Sequence, residues 1–139
     1  MNIKIVEDED IENLYELNKL FENDNTKEKM HDFIKNNNHE IICIAYIDNI
    51  AVGFCTGLII KSICYKNSRL DIETLFVKKE YRNKGIGKEL IKFMEKIAVS
   101  KNIMHFHIIT NENNVNALKI YEKIGYKNTG EKLLDKTLE

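Results

Sequence analysis

Residues 82–88 read Arg-Asn-Lys-Gly-Ile-Gly-Lys. They follow the apolar-rich run Leu70 to Val77 and lead into Ile86, Leu90, Phe93, Met94 and Ile97, which recur at helical spacing. A strand, a glycine turn and a helix in that order leave the first helical N–H groups without an intrahelical acceptor. Those groups lie at the positive end of the helix dipole and form a site for an anion such as phosphate. Gly85 and Gly87 have no side chains to keep a phosphate off the amides, and Arg82 and Lys84 add positive charge. Upstream, strand alternation places Asp71, Glu73, Leu75 and Val77 on one face. A carboxylate there could accept a proton from an ammonium, although it equally reads as the solvated face of a strand. Downstream, Tyr121 reads as a core tyrosine with a wet tip. His105 and His107 share a strand face and could bind a metal, but no third ligand stands near them.

Three phosphate-binding patterns can be tested on the loop. The P-loop pattern fails, because Arg82 stands where its first glycine belongs and Glu89 follows Gly87-Lys88. The dinucleotide pattern begins at Gly85 and Gly87 but meets Leu90 at its third glycine. The pattern that fits is Arg-x-x-Gly-x-Gly between strand and helix. In this the chain resembles the GCN5-related N-acetyltransferase (GNAT) family. A second block in register, Asn114 to Tyr126, resembles that family's Asn-x-x-Ala-x-x-x-Tyr-x-Lys-x-Gly-Phe helix and strand start, with Tyr126 in place of Phe. Val52-Gly53-Phe54 and Ile72 to Val77 resemble two of its strands, so the likeness covers roughly residues 40–128. Lys79 stands where many relatives have proline, a change to the turn and not to the chemistry.

The resemblance implies acetyl-CoA as acyl-donor cosubstrate and no metal. Its pyrophosphate would lie on the backbone of Arg82, Asn83, Lys84, Gly85, Ile86, Gly87 and Lys88. The backbone at Phe76 and Val77 would pair with the pantetheine arm, and an N–H near Val77 would donate to the thioester oxygen as charge grows there. Tyr121 would bind near the CoA sulfur and protonate the leaving thiolate. Asn114 would bond pantetheine or cap its helix. Glu73 is the preferred base, with Asp71 second. The implied activity is direct acetyl transfer to a primary amine of a small molecule or peptide. The alternative is a sensor of the same fold that binds acyl-CoA without turnover. No signature in residues 10–40 identifies the acceptor, and the resemblance leaves a homodimer open.

The elements that must hold these groups follow from patterning. Ile3 to Ile5 reads as a strand, Asp8 or Asp10 as the cap of a first helix, and Thr26 as the cap of a second. Ile41 to Ile47 and Ile50 to Lys61 form a hairpin around Asp48-Asn49. Met104 to Thr110 is a further strand, Asn113 to Ile124 a helix, and one or two closing strands begin at Tyr126. The order β-α-α-β-β-β-α-β-α-β(β) gives an α/β (α+β) domain of residues 1–139 with a mixed, mostly antiparallel, twisted sheet flanked by helices. Composition agrees: 139 residues, 43% apolar and 31% charged, suit one domain. A net charge of −1 argues against a nucleic-acid partner. No apolar run nears the roughly 18 residues of a membrane span, and the early acidic residues do not suit a signal peptide. Three cysteines without Cys-x-x-Cys spacing suit the cytoplasm.

Overall fold

The structure is a computed structural model that describes residues 1–138. Contacts group them into two compact units, Met1–Ile109 and the chain from Thr110 on.

The first unit is built on five strands: β1 (Asn2–Ile5), β2 (Glu40–Ile47), β3 (Ile50–Ile60), β4 (Arg69–Val77) and β5 (Phe106–Ile108). They lie in chain order across the sheet, antiparallel from β1 to β4, with β5 parallel to β4. Asp48 and Asn49 join β2 to β3 with φ of 49° and 65°, the left-handed pair that suits the twist of a two-residue hairpin. Helices α1 (Ile11–Leu20) and α2 (Lys27–Asn36) cover one face of the sheet. There Ile11, Leu14, Leu17 and Met30 pack with Ile42, Ile44, Phe54 and Phe76. Helix α3 (Ile86–Ser100) covers the other face, against β2, β3 and β4. Gly57 admits this helix, since a Cβ there would stand 2.6 Å from the Met94 sulfur. The buried stripe of α3 is Ile86, Leu90, Ile91, Met94 and Ala98, so Phe93 and Ile97 of the expected stripe stand at its margin.

Thr26 caps α2 as expected, accepting from the Lys29 amide. Neither Asp8 nor Asp10 caps α1 through its side chain. Residues Asp8–Asp10 form a 3-10 turn instead, and Asp10 turns back to accept from the Glu7 amide at 2.9 Å. It also accepts from the Tyr46 hydroxyl at 2.7 Å and pairs with Lys4 at 3.0 Å. One carboxylate, 4% exposed, thus ties β1, the turn and β2 together, with every oxygen satisfied.

The second unit contains α4 (Val115–Lys123), which ends as Gly125 takes φ +104°. The closing strands expected from Tyr126 on are not formed among the described residues. Asn128 accepts from the Gly130 amide at 2.8 Å in a side-chain turn, and Gly130 itself has φ +81°. Leu133 and Leu134 are adjacent, so they cannot share one strand face, and both are exposed. β5 also falls short of the expected Met104 to Thr110, because its pairing with β4 ends at Ile72 opposite Ile108.

Candidate functional site

Pairing between β3 and β4 slips at one place. Thr74 stands opposite Thr56, and Ile72 opposite Gly57, which leaves Glu73 as an extra residue on β4. Such a bulge bends its strand and increases the local twist. It falls where β5 leaves β4, so the last stretch of β4 has no strand on its second edge among the described residues. Neighbouring residues of a strand address opposite edges with their N–H and C=O groups. The Lys78 amide donates to Val52 of β3 at 2.8 Å, and a Cβ at Gly53 would stand 2.7 Å from the Phe76 carbonyl. Lys78 and Phe76 therefore address β3, and Val77 between them addresses the open edge. Of the two residues expected to meet a pantetheine arm, the backbone of Val77 is aimed outward and that of Phe76 is not. The Phe76 ring joins Phe54 and Phe21, at centroid distances of 6.1 and 5.4 Å.

The bulge also corrects the expected face. Asp71, Glu73, Leu75 and Val77 do not share one. Leu75 and Val77 pair with Cys55 and Gly53 on the α3 side, and Asp71 and Thr74 pair with Leu58 and Thr56 on the α1/α2 side. Asp71 is held by Arg69, Nε to Oδ1 at 2.7 Å, with His107 Nδ1 at 3.7 Å. The Glu73 carboxylate is exposed and has no hydrogen bond or ion pair among the described residues. His105 and His107 pack edge to face at 4.7 Å, and no three candidate ligands for a metal converge among the described residues.

The glycine loop follows β4 directly. Arg82 Nε donates to the Val77 carbonyl at 2.8 Å, and its guanidinium lies 5.8 Å from the centre of the Phe76 ring. Arg82 thus fastens the loop to the end of β4, beyond simply adding charge. Asn83 and Gly85 take φ of 63° and 82°, and α3 starts immediately after. Its first bond runs from the Glu89 amide to the Gly85 carbonyl at 3.0 Å. The amides of Ile86, Gly87 and Lys88 precede it and aim along the axis at the helix start. The two glycines do different jobs. A Cβ at Gly85 would project into open space, and one at Gly87 would touch Leu75 at 3.5 Å. Gly87 thus lets the helix lie close to β4, and Gly85 supplies the left-handed turn.

The second unit carries the other two expected residues. Asn114 caps α4, accepting from the Ala117 amide at 3.4 Å. The half-buried Tyr121 ring stands 6.3 Å from that of Tyr126, edge to face.

A cleft of about 240 Å³ in the first unit had no signature in the sequence. Leu14, Met30, Phe33, Ile34, Ile42 and Phe54 give it apolar walls, and Asn18, Asn25, Thr56 and Thr74 give it polar points. Glu40 is its one charged lining residue among the described residues. Burial pushes the Glu40 carboxyl above its usual range; His39 opposes the shift and Glu73 adds to it. The available signal was a glutamate opening an otherwise apolar strand.

A family model described as the acetyltransferase (GNAT) family matches residues 9–126. A probable spermine N(1)-acetyltransferase of Bacillus subtilis subsp. natto is 30% identical over 67 residues, 48% of this chain and 44% of that protein. The chain spans about half the length of the curated relatives it matches. Among solved structures, an aminoglycoside acetyltransferase from an uncultured soil metagenomic sample, in complex with sisomicin, superposes with a TM-score of 0.88 at 18% identity, over 99% of this chain and 96% of that one. A ribosomal-protein-alanine N-acetyltransferase from Brucella melitensis biovar Abortus superposes with a TM-score of 0.82 at 15% identity, over 99% and 100%. These two show the shared fold.

Proposed function

The chain belongs to the GNAT acetyltransferase family, and on that premise we propose that it moves an acetyl group from acetyl-CoA to a primary amine. One arrangement carries the reading: the open edge of β4 leads straight into a helix start whose amides lack acceptors, with Arg82 locking one to the other. The pyrophosphate rests on the loop from Arg82 to Lys88, and the pantetheine lies along β4 as a missing strand would. The Val77 amide donates to the thioester oxygen, where negative charge grows during attack.

The amine nitrogen attacks the thioester carbonyl carbon, a C–N bond forms and the C–S bond breaks. The proton lost from nitrogen passes to Glu73, directly or through water, and the thiolate takes a proton from the Tyr121 hydroxyl. Support for Glu73 is its exposed, unpaired carboxylate beside the open edge. Support for Tyr121 is the match of its helix to the family motif. Tyr121→Phe should lower turnover by about 10²-fold or less while CoA affinity holds; unchanged turnover, measured where chemistry limits the rate, would withdraw the role. The curated relative's name points to spermine, and the aminoglycoside and ribosomal-protein enzymes act on other amines, so the acceptor is left as an amine.

Two measurements test the activity. CoA, and neither ATP nor NAD, should raise the melting temperature. Release of free CoA across a panel of amines should then identify turnover. A CoA-dependent shift with no acetylated amine would favour a non-catalytic acyl-CoA sensor, and absence of both would end the proposal.

A further inference from the structure

We propose that the cleft beneath α1 and α2 is the acceptor pocket, and that Glu40 is the residue that selects an aliphatic polyamine for it. The inference rests on the acetyltransferase reading and adds the acceptor class to it.

The cleft lies on the face of the sheet that the bulge turns toward α1 and α2. Thr74, the residue after Glu73, lines it, and so does Thr56 opposite. An acceptor seated there reaches the sheet beside the open edge of β4. The walls decide what kind of stem it has. Leu14, Met30, Ile34, Ile42 and Phe54 favour methylene groups along the stem, and Asn18, Asn25, Thr56 and Thr74 leave hydrogen-bond partners for its amines.

The charges decide the rest. Among the described residues no lysine or arginine lines the cleft, so none of them would balance the carboxylate of an amino acid or an acidic peptide. Glu40 does line it, half-buried at the start of β2. Its backbone is engaged by Asn37, with the Asn37 side chain donating to the carbonyl at 2.6 Å and accepting from the amide at 2.9 Å. That anchors the residue and leaves its carboxylate without a hydrogen bond or ion pair among the described residues. Glu73 repels its charge, and the neighbouring His39 opposes that repulsion. A ligand ammonium relieves that repulsion and neutralises a half-buried charge. The fitting ligand has a second ammonium for Glu40, an apolar stem for the cleft, and a first amine to present to the thioester.

The experiment compares 1,4-diaminobutane with butylamine, which has the same stem and one charge. The parent should acetylate the diamine at a lower KM. Glu40→Gln, which keeps the shape, should raise the KM for the diamine at least ten-fold more than that for butylamine, with kcat for the diamine changed much less than KM. Glu40→Asp should recover part of the loss. Melting curves confirm that both variants fold. Equal effects on the two amines would overturn the assignment. Calorimetric titration of both amines into the CoA-bound protein separates this inference from the activity. Diamine binding that needs Glu40, without turnover, would support the pocket and refute the acetyltransferase reading. Failure of the parent to prefer the diamine in either measurement would overturn the pocket.

Discussion

At position 73 the chain carries one residue more than pairing with β3 can use, and that residue is a glutamate. Freed from the ladder, its carboxylate is exposed beside the open edge, so its candidate chemistry follows from its backbone position. Glu73→Gln keeps size and polarity but cannot accept a proton. It should slow acetylation of strongly basic amines by an order of magnitude more than that of a weakly basic amine already neutral at pH 7. Equal slowing of both would make Glu73 a positioning residue. No slowing would pass the role to Asp71, or to water. The carboxylates themselves were legible, because charges stand out within an apolar strand. The face they occupy was not, since alternation assumes an unbroken ladder and nothing in Ile72-Glu73-Thr74 announces an extra residue. Glu40 was missed for a related reason. Its meaning depends on two helices folding over it, and the sequence pattern does not carry that distance.

Among the elements, the loop from Arg82 into α3 was the most legible, because each of its parts is local. Gly85 adopts φ +82°, a region that a branched side chain enters at a cost of about 1–2 kcal/mol. Gly85→Val should therefore lower the melting temperature modestly. It should also abolish most of the rise that CoA produces, because its side chain would fill the open space before the helix start. A variant with the parent's full CoA-dependent rise would place the anion elsewhere. Gly87→Ala makes a useful contrast, since its methyl would meet Leu75 at an ordinary contact distance and face away from that space. The hairpin and the Thr26 cap were likewise local and were read correctly. The chain after Tyr126 was misread, because a family strand start was extended over residues that alternate poorly and include a side-chain turn at Asn128.

At the scale of the molecule, Asp10 shows how the fold responds to acid. Burial opposes its charge, yet the Glu7 amide, the Tyr46 hydroxyl and Lys4 outweigh burial and hold its carboxyl below the usual carboxylate range. The charged form is thus favoured in the fold. Its contribution is complete above the unfolded value, about pH 4, and disappears as pH falls through the lower folded value. Asp10→Asn should cost about 1.5–3 kcal/mol at pH 7. It should also flatten the fall of melting temperature below about pH 4; identical acid slopes in the two proteins would remove Asp10 as a source of acid sensitivity. The fold class and the sheet with helices on both faces were legible at this scale because periodicity changes cleanly between elements. The bulge has one more consequence. Ile72 and Thr74 already face opposite sides of the sheet, so excising Glu73 would leave every remaining side chain of β4 on its present face. The shortened strand could pair with β3 in a ladder without a break. The surplus residue thus exchanges an unbroken ladder for a bend and extra twist in the last stretch of β4.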